Sequence, residues 1–163
     1  MNQNNKIISL LKKSIEIQPE FSKPYSVISD IFFEKNNYKN AHEYINSAIK
    51  IEKKKVRFIK KNIKKYSDLK KFHMIRKLSE DLKMILFDLS EYLLKKSKIL
   101  ITQNNSKLAI ITLKESISYN PDKAEPYFLL HQLETNKKKS QEYLEISIGI
   151  DPEYSIVENS DVL

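Results

Sequence analysis

The side chains that could do chemistry in this sequence are few and widely separated. The three histidines, His42, His73 and His131, lie far apart, and none has a partner three or four residues away that completes a metal-binding motif. Glu80 and Asp81 are adjacent, so on a helix their carboxylates point about 100° apart and cannot act together on one substrate atom. Since there is no cysteine and no legible nucleophile–base arrangement, we expect no enzyme, no cofactor and no metal site.

The densest chemical feature is a run of positive charge at residues 50–77. This segment has 13 Lys or Arg against two acidic residues, a net charge of +11, so the other 135 residues of this +8 chain have a net charge of −3. Such a surface is typical of proteins that bind RNA, DNA or an anionic membrane surface. The alternative is a solvated helix face in a chain that contains 27 Lys. With only two Arg, any nucleic-acid binding would be non-specific. The predicted basic surface comprises Lys53, Lys54, Arg57, Lys60, Lys61, Lys64 and Lys65.

Composition excludes several classes of protein. A single Gly rules out a glycine-rich phosphate loop, and the absence of Cys rules out disulfides and thiolate metal sites. Ile, Leu, Val and Phe make up 50 of 163 residues, enough for a folded core. No uncharged apolar stretch approaches the roughly 18 residues that a membrane span requires, so we expect a cytoplasmic protein without a membrane span.

The spacing of apolar residues predicts an all-α protein. Apolar side chains recur at intervals of three and four throughout, and no segment alternates with the period of a strand. Proline marks the joints between helices: Pro19, Pro121 and Pro152 each follow a helical stripe, while Pro24 and Pro126 fall in first helical turns. Pro19 and Pro121 are 102 residues apart, which is three times 34, so the sequence indicates an internal repeat of 34 residues.

At this period the sequence resembles the tetratricopeptide repeat (TPR) family. Residues 22–55 match the family's pattern of aromatic, apolar and small positions through Tyr25, Ile28, Ser29, Phe32, Ala41, Ile45 and Ala48, with Asn36 in the turn. The resemblance implies a right-handed superhelical stack of antiparallel helix pairs with about seven helices. Two short amphipathic helices cannot bury their apolar stripes alone, and stacked units bury them together.

The same resemblance divides the chain into units of one domain. The expected units are a half repeat at 6–21, repeats at 22–55, 90–123 and 124–154 within a single domain at 1–154, and a C-terminal tail at 155–163. The array opens on half a unit, and only Ile156 and Val157 precede a polar tail. Terminal repeats usually need polar caps, so we expect either self-association or docking through the uncapped ends, or a repeat region that belongs to a larger enzyme.

The middle of the chain, residues 56–89, departs from the pattern and leaves two interpretations open. One is a pair of long basic helices at 39–66 and 68–103, with Ser67-Asp68 as the N-cap of the second. The other is a degenerate third repeat with the usual break near Asp88 to Ser90.

The resemblance also implies a function, because TPR arrays generally bind other proteins. Their first helices line a concave groove that holds a partner's peptide or helix, so we expect a scaffold for protein–protein interaction whose partner is another protein. The clamp of Lys and Asn that some members use on C-terminal carboxylates is absent, with Ser26 and Asp30 in its place. The groove residues transferred by register are Lys23, Ser26, Asp30, Phe33, Glu91, Leu94, Lys98, Ile101, Glu125, Phe128 and Gln132.

Overall fold

The computed structural model describes residues 3–155, which form seven helices and no strand. The expected all-α class, the helix count and the long helices in the middle are all confirmed. The helices are α1 (Gln3–Ile17), α2 (Lys23–Glu34), α3 (Tyr38–Asp68), α4 (Phe72–Thr102), α5 (Ser106–Tyr119), α6 (Ala124–Leu133) and α7 (Lys137–Ile150). The expected tail at 155–163, with Ile156 and Val157, lies outside the described residues except for Ser155.

Three helix ends share one turn geometry at intervals of 34 residues. The residues after α2, α3 and α4 that adopt a left-handed backbone are Asn36 (φ 56°), Lys70 (φ 53°) and Asn104 (φ 57°), and 36 + 34 = 70 and 70 + 34 = 104. In each turn the following N–H bonds back to a carbonyl five residues earlier, as in a Schellman cap. The repeat register therefore continues through the middle segment. These bonds are Asn37 N to Phe32 O, Lys71 N to Tyr66 O and Asn105 N to Leu100 O, each 2.9 Å long.

What the middle segment lacks is the break between one unit and the next. Pro19 and Pro121 end the units at α1 and α5, but the equivalent positions 53 and 87 hold Lys53 and Phe87, which lie inside α3 and α4. Because no proline interrupts the helix at these positions, the second helix of one unit continues straight into the first helix of the next. The predicted break near Asp88 to Ser90 is therefore wrong.

The predicted N-cap at Ser67-Asp68 is also wrong. Both residues belong to the last turn of α3, and α4 begins at Phe72 after the N-cap residue Lys71. The carbonyl of Ser67 accepts a hydrogen bond of 2.9 Å from the N–H of Lys70, so this residue closes a helix C-terminus instead of opening the next helix.

The core shows that the two well-matched units stack directly on each other. Ala41, Ile45 and Ala48 of α3 are fully buried against Leu89 and Leu93 of α4. A second buried cluster joins α4, α5 and α6 through Leu94, Leu113 and Leu130.

Polar side chains complete these close helix crossings. The Ser29 hydroxyl donates to the carbonyl of Ala41 over 2.8 Å, and the Ser116 hydroxyl donates to the carbonyl of Ser90 over 2.8 Å. Small residues at these positions let the helix backbones approach closely, so each hydroxyl reaches a neighbouring main chain.

The fused helices leave the stack as an antiparallel pair that we call the arm, residues 60–88. No residue from 60 to 88 is fully buried, whereas Ile59 and Leu89 on either side both are. Unit 22–55 therefore contacts unit 90–123 directly, and the intervening 34-residue register is displaced outward. This displacement brings α2 beside the C-terminal half of α4.

Candidate functional site

The first half of the candidate groove lies between α2 and the C-terminal half of α4. Lys95 bridges the two helices, because its Nζ lies 2.6 Å from Oδ2 of Asp30 and donates to Oγ of Ser26 over 3.0 Å. Both ions of this pair are partly exposed, so its contribution to stability is modest and its main effect is positional.

The second half of the groove continues from α4 to α6 in the same way. Lys98 Nζ lies 2.5 Å from Glu125 Oε1, and Glu91 pairs with Lys123 at the start of α6. The three helices α2, α4 and α6 thus present one face on which opposite charges alternate. This face carries no large net charge toward a ligand.

A cavity of about 480 Å³ opens on this face between α2 and α4. Its apolar part is formed by Phe33 and Ile99, and its rim by two acidic and two basic side chains. An apolar floor with a small number of charged groups around it is the usual form of a binding site for a side chain of a ligand. The lining residues are Ser29, Asp30, Phe33, Glu34, Lys95, Lys98 and Ile99.

The structure distributes the groove residues expected from the sequence over three environments. Asp30, Phe33 and Lys98 line the cavity, whereas Glu91 and Glu125 are engaged in the ion pairs between α4 and α6. The remaining accessible positions are Lys23 and Gln132, which are exposed, and Ile101, which is half-buried.

Three of the expected groove residues are buried. Ser26 is covered by the Lys95 side chain, and Leu94 packs in the cluster with Leu113. Phe128 packs its ring 4.9 Å from that of Tyr154. The register alone placed these side chains on the groove, but close stacking of the units covers them.

Sequence reasoning missed Lys95, Glu34 and Ile99 as lining residues. Lys95 stands between two residues chosen by register, and only its charge complementarity to Asp30 could have indicated a role. That complementarity depends on α2 and α4 being neighbours, which follows from the displaced arm and is not visible in the local sequence.

A second polar cluster ties the start of α2 to α3 and α4. Glu52 of α3 is only 1% exposed, and its Oε1 accepts hydrogen bonds from Ser22 and, over 2.8 Å, from Lys55 Nζ. The Ser22 hydroxyl also lies 3.3 Å from the hydroxyl of Tyr92. Burial raises the pKa of Tyr92 to about 12, so this hydroxyl stays protonated near neutral pH. Glu52 therefore joins three helices, although in the sequence it is only an acidic residue within a basic stretch.

The Glu52 cluster lines one end of a cavity of about 650 Å³ that also includes Asp88. Burial raises the pKa of the Asp88 carboxyl, and the negative charge of Glu52 raises it further. Since the pKa in the folded state exceeds the unfolded value, the favourable contribution of Asp88 is complete below that unfolded value. It is lost as the pH rises through the folded pKa.

The Asp88→Asn variant is therefore expected to be more stable than the wild type near neutral pH, with a midpoint of thermal unfolding about 1–2 °C higher. The difference should vanish as the pH falls toward the ordinary carboxyl value, because the wild-type Asp88 is then protonated. Thermal melts in a pH series measure this, with Asp81→Asn in the same cavity as the matched control. A wild type that is the more stable chain at neutral pH would contradict this expectation.

The expected basic surface divides into paired and unpaired charges. Lys53 pairs with Glu115 at 2.5 Å and Lys54 with Glu20 at 2.7 Å, so both are partly neutralised by the stack. Within residues 3–155, no ion pair is found for the remaining members, which are exposed: Arg57, Lys60, Lys61, Lys64 and Lys65.

Two general features of the described residues bear on function. Among residues 3–155, no three His, Asp or Glu side chains converge closely enough to hold a metal ion. The helices of that same segment include none whose length and apolar content would allow it to cross a membrane.

Comparison with known proteins agrees with the repeat architecture. The family model described as tetratricopeptide repeat matches residues 22–55 and 90–123. None of the curated proteins matches the chain.

Solved structures with similar folds include several TPR proteins at low identity. YrrB, a TPR protein with an unusual peptide-binding site, is 13% identical with a TM-score of 0.41, over 94% of this chain and 98% of that one. MamA from Desulfovibrio magneticus RS-1 is 18% identical with a TM-score of 0.37, over 81% and 76% of the two chains. PilF from Pseudomonas aeruginosa is 12% identical with a TM-score of 0.37, over 97% and 86%. The two segments matched by the family model make this chain a helical repeat protein of the tetratricopeptide-repeat family.

Proposed function

We propose that the chain is a non-enzymatic, cytoplasmic scaffold that holds a peptide or helix of a partner protein in the groove formed by α2, the C-terminal half of α4 and α6. The observation that supports this most is the cavity between α2 and α4, where Phe33 and Ile99 form an apolar floor. The proposal treats residues 1–154 as one repeat domain.

The chemistry of the cavity indicates which kind of segment it fits. Asp30 and Glu34 are balanced by Lys95 and Lys98 around the rim, so the site has no net charge that would attract a strongly acidic or basic segment. A segment that inserts one apolar side chain against Phe33 would bury it, while its main-chain groups could bond to the rim. We therefore propose a partner segment with a central apolar residue flanked by polar residues.

The test uses peptides selected from a random displayed library for binding to the wild-type chain. Phe33→Glu is expected to lower the affinity for the selected peptides by at least about tenfold, because it places a charge on the apolar floor. Glu34→Lys, at an exposed position on the rim, should change the affinity in a direction set by the charge of the peptide. Isothermal titration calorimetry gives both values.

The matched control is Ile111→Glu, which alters an apolar side chain that is 63% exposed on α5. Its affinity for the same peptides should equal that of the wild type. Thermal melts confirm that each variant is folded. Selected peptides that bind Phe33→Glu and Glu34→Lys as tightly as the wild type would refute the proposed groove.

A further inference from the structure

The outer end of the arm concentrates positive charge away from the stack. We define the arm tip as residues 60–77, which contain eight Lys or Arg and a single acidic residue, Asp68. Among these basic residues only Arg76 has an ion-pair partner within the described chain, which is Glu80 at 3.3 Å. The remaining basic side chains of the tip are exposed: Lys60, Lys61, Lys64, Lys65, Lys70, Lys71 and Lys77.

The geometry of the arm prevents the acidic residues of the stack from neutralising this charge. From Ile59, the last buried residue of α3, to Asp68 at its end, the helix extends about 14 Å. This distance exceeds the Debye length of about 8 Å at physiological ionic strength. The tip therefore presents its own positive potential to any surface that approaches it.

The turn at the end of the arm adds two exposed apolar side chains. Leu69 is 53% exposed and Phe72 is 74% exposed, on either side of the two-residue linker formed by Lys70 and Lys71. The backbone bonds from Lys70 to Ser67 and from Lys71 to Tyr66 fix this turn. Two large apolar side chains thus project from the apex of a hairpin whose flanks are cationic.

From this arrangement we propose that the arm tip docks on an anionic lipid membrane, with Leu69 and Phe72 entering the interfacial region and the flanking lysines contacting lipid phosphates. Peripheral attachment of this kind generally needs two signals, one electrostatic and one apolar. The tip has both in one turn. The charge complementarity and the apolar apex together define the partner as a lipid surface.

Nucleic acid fits the same charge less well. Leu69 has no ring on which a base could stack, and Arg76 is the only residue of the tip with the planar fork that recognises phosphates and base edges in two-point contacts. Exposed apolar side chains at an apex contribute little to a polyanion, whereas they contribute directly to insertion between lipid headgroups. Binding to nucleic acid is therefore kept as an outcome of the test.

The absence of Trp from the chain makes the insertion step directly measurable. Phe72→Trp gives a single fluorophore at the apex, and Ile111→Trp gives a matched control on α5. With vesicles of phosphatidylcholine containing about 30% phosphatidylglycerol, the Trp at position 72 should shift its emission to the blue and be quenched by brominated lipid. Vesicles of phosphatidylcholine alone should leave it unchanged, and the Trp at position 111 should not respond to either.

Sedimentation with the same vesicles separates the two signals. The double variant Leu69→Ser with Phe72→Ser should bind anionic vesicles at least about tenfold more weakly than the wild type. The matched pair Leu10→Ser with Ile111→Ser, also at exposed apolar positions, should bind like the wild type. Raising the salt from about 50 to about 300 mM should weaken the binding of the wild type strongly.

Three results would overturn the proposal. One is a wild type that does not bind anionic vesicles at low salt. Another is a tip variant that binds them as tightly as the wild type. The third is a single-stranded RNA oligonucleotide that binds the wild type and the tip variant equally, and more tightly than the vesicles bind, which would assign the tip to nucleic acid.

Discussion

The Glu52→Ala variant is expected to lose about 2–4 kcal/mol of unfolding free energy, because it removes a buried acceptor that three helices share. Ser22 and Lys55 would each lose their hydrogen bond to Oε1, and a cavity would remain beside Tyr92. Urea denaturation followed by circular dichroism measures this loss. Glu52→Gln should lose less, since the shape and part of the hydrogen bonding are retained.

The matched control for Glu52 is Glu43→Ala, an exposed carboxylate two to three turns earlier in the same helix. Its unfolding free energy should stay within about 0.5 kcal/mol of the wild type. If Glu52→Ala were as stable as Glu43→Ala, the cluster would not hold α2 against α3 and α4.

The Lys53→Pro variant is expected to be destabilised by about 3 kcal/mol or more, although it restores the residue that the repeat pattern usually has at this position. Position 53 lies in the interior of α3, where proline would remove the helical hydrogen bond to the carbonyl of residue 49 and clash with the preceding turn. Unfolding curves and the far-ultraviolet spectrum measure the loss of stability and of helix.

The control for this substitution is Lys53→Ala, which removes only the partly exposed ion pair with Glu115 and should cost less than about 1 kcal/mol. A Lys53→Pro variant as stable as Lys53→Ala would mean that the chain turns at this unit boundary, as in an ordinary repeat. The continuous helix α3 and the arm would then both be wrong.

The parts of the fold that the sequence could predict are those that depend on local spacing. Helical periodicity and the phase of Pro19 and Pro121 are sufficient for the class and the 34-residue register. Asn36 was expected in a turn, and the structure has it there in the left-handed conformation. These features need only neighbouring residues, so the sequence contains the information directly.

The fused helices were harder to predict because their signal is an absence. Lys53 and Phe87 occupy positions where proline would break the chain, and nothing local states whether another residue will turn or continue. The sequence therefore left two interpretations open. The choice depends on how well the long apolar stripes of α3 and α4 pack together, which is a tertiary property.

The candidate groove shows the same division between local and tertiary information. Register alone selected Asp30, Phe33 and Lys98, which line the cavity, but it also selected Ser26 and Leu94, which are buried. Their burial follows from direct contact between the units at 22–55 and 90–123. Because the displaced arm creates that contact, the same feature shapes both the groove and the basic tip.

Site-specific photocrosslinking in cells tests the proposed groove most directly. A photoreactive phenylalanine analogue is placed at position 33, on the floor of the cavity, and in a separate chain at position 111, an exposed position on α5. The groove proposal predicts discrete crosslinked protein adducts from position 33 and none of the same adducts from position 111. Adducts that form equally at both positions, or only at position 111, would contradict it.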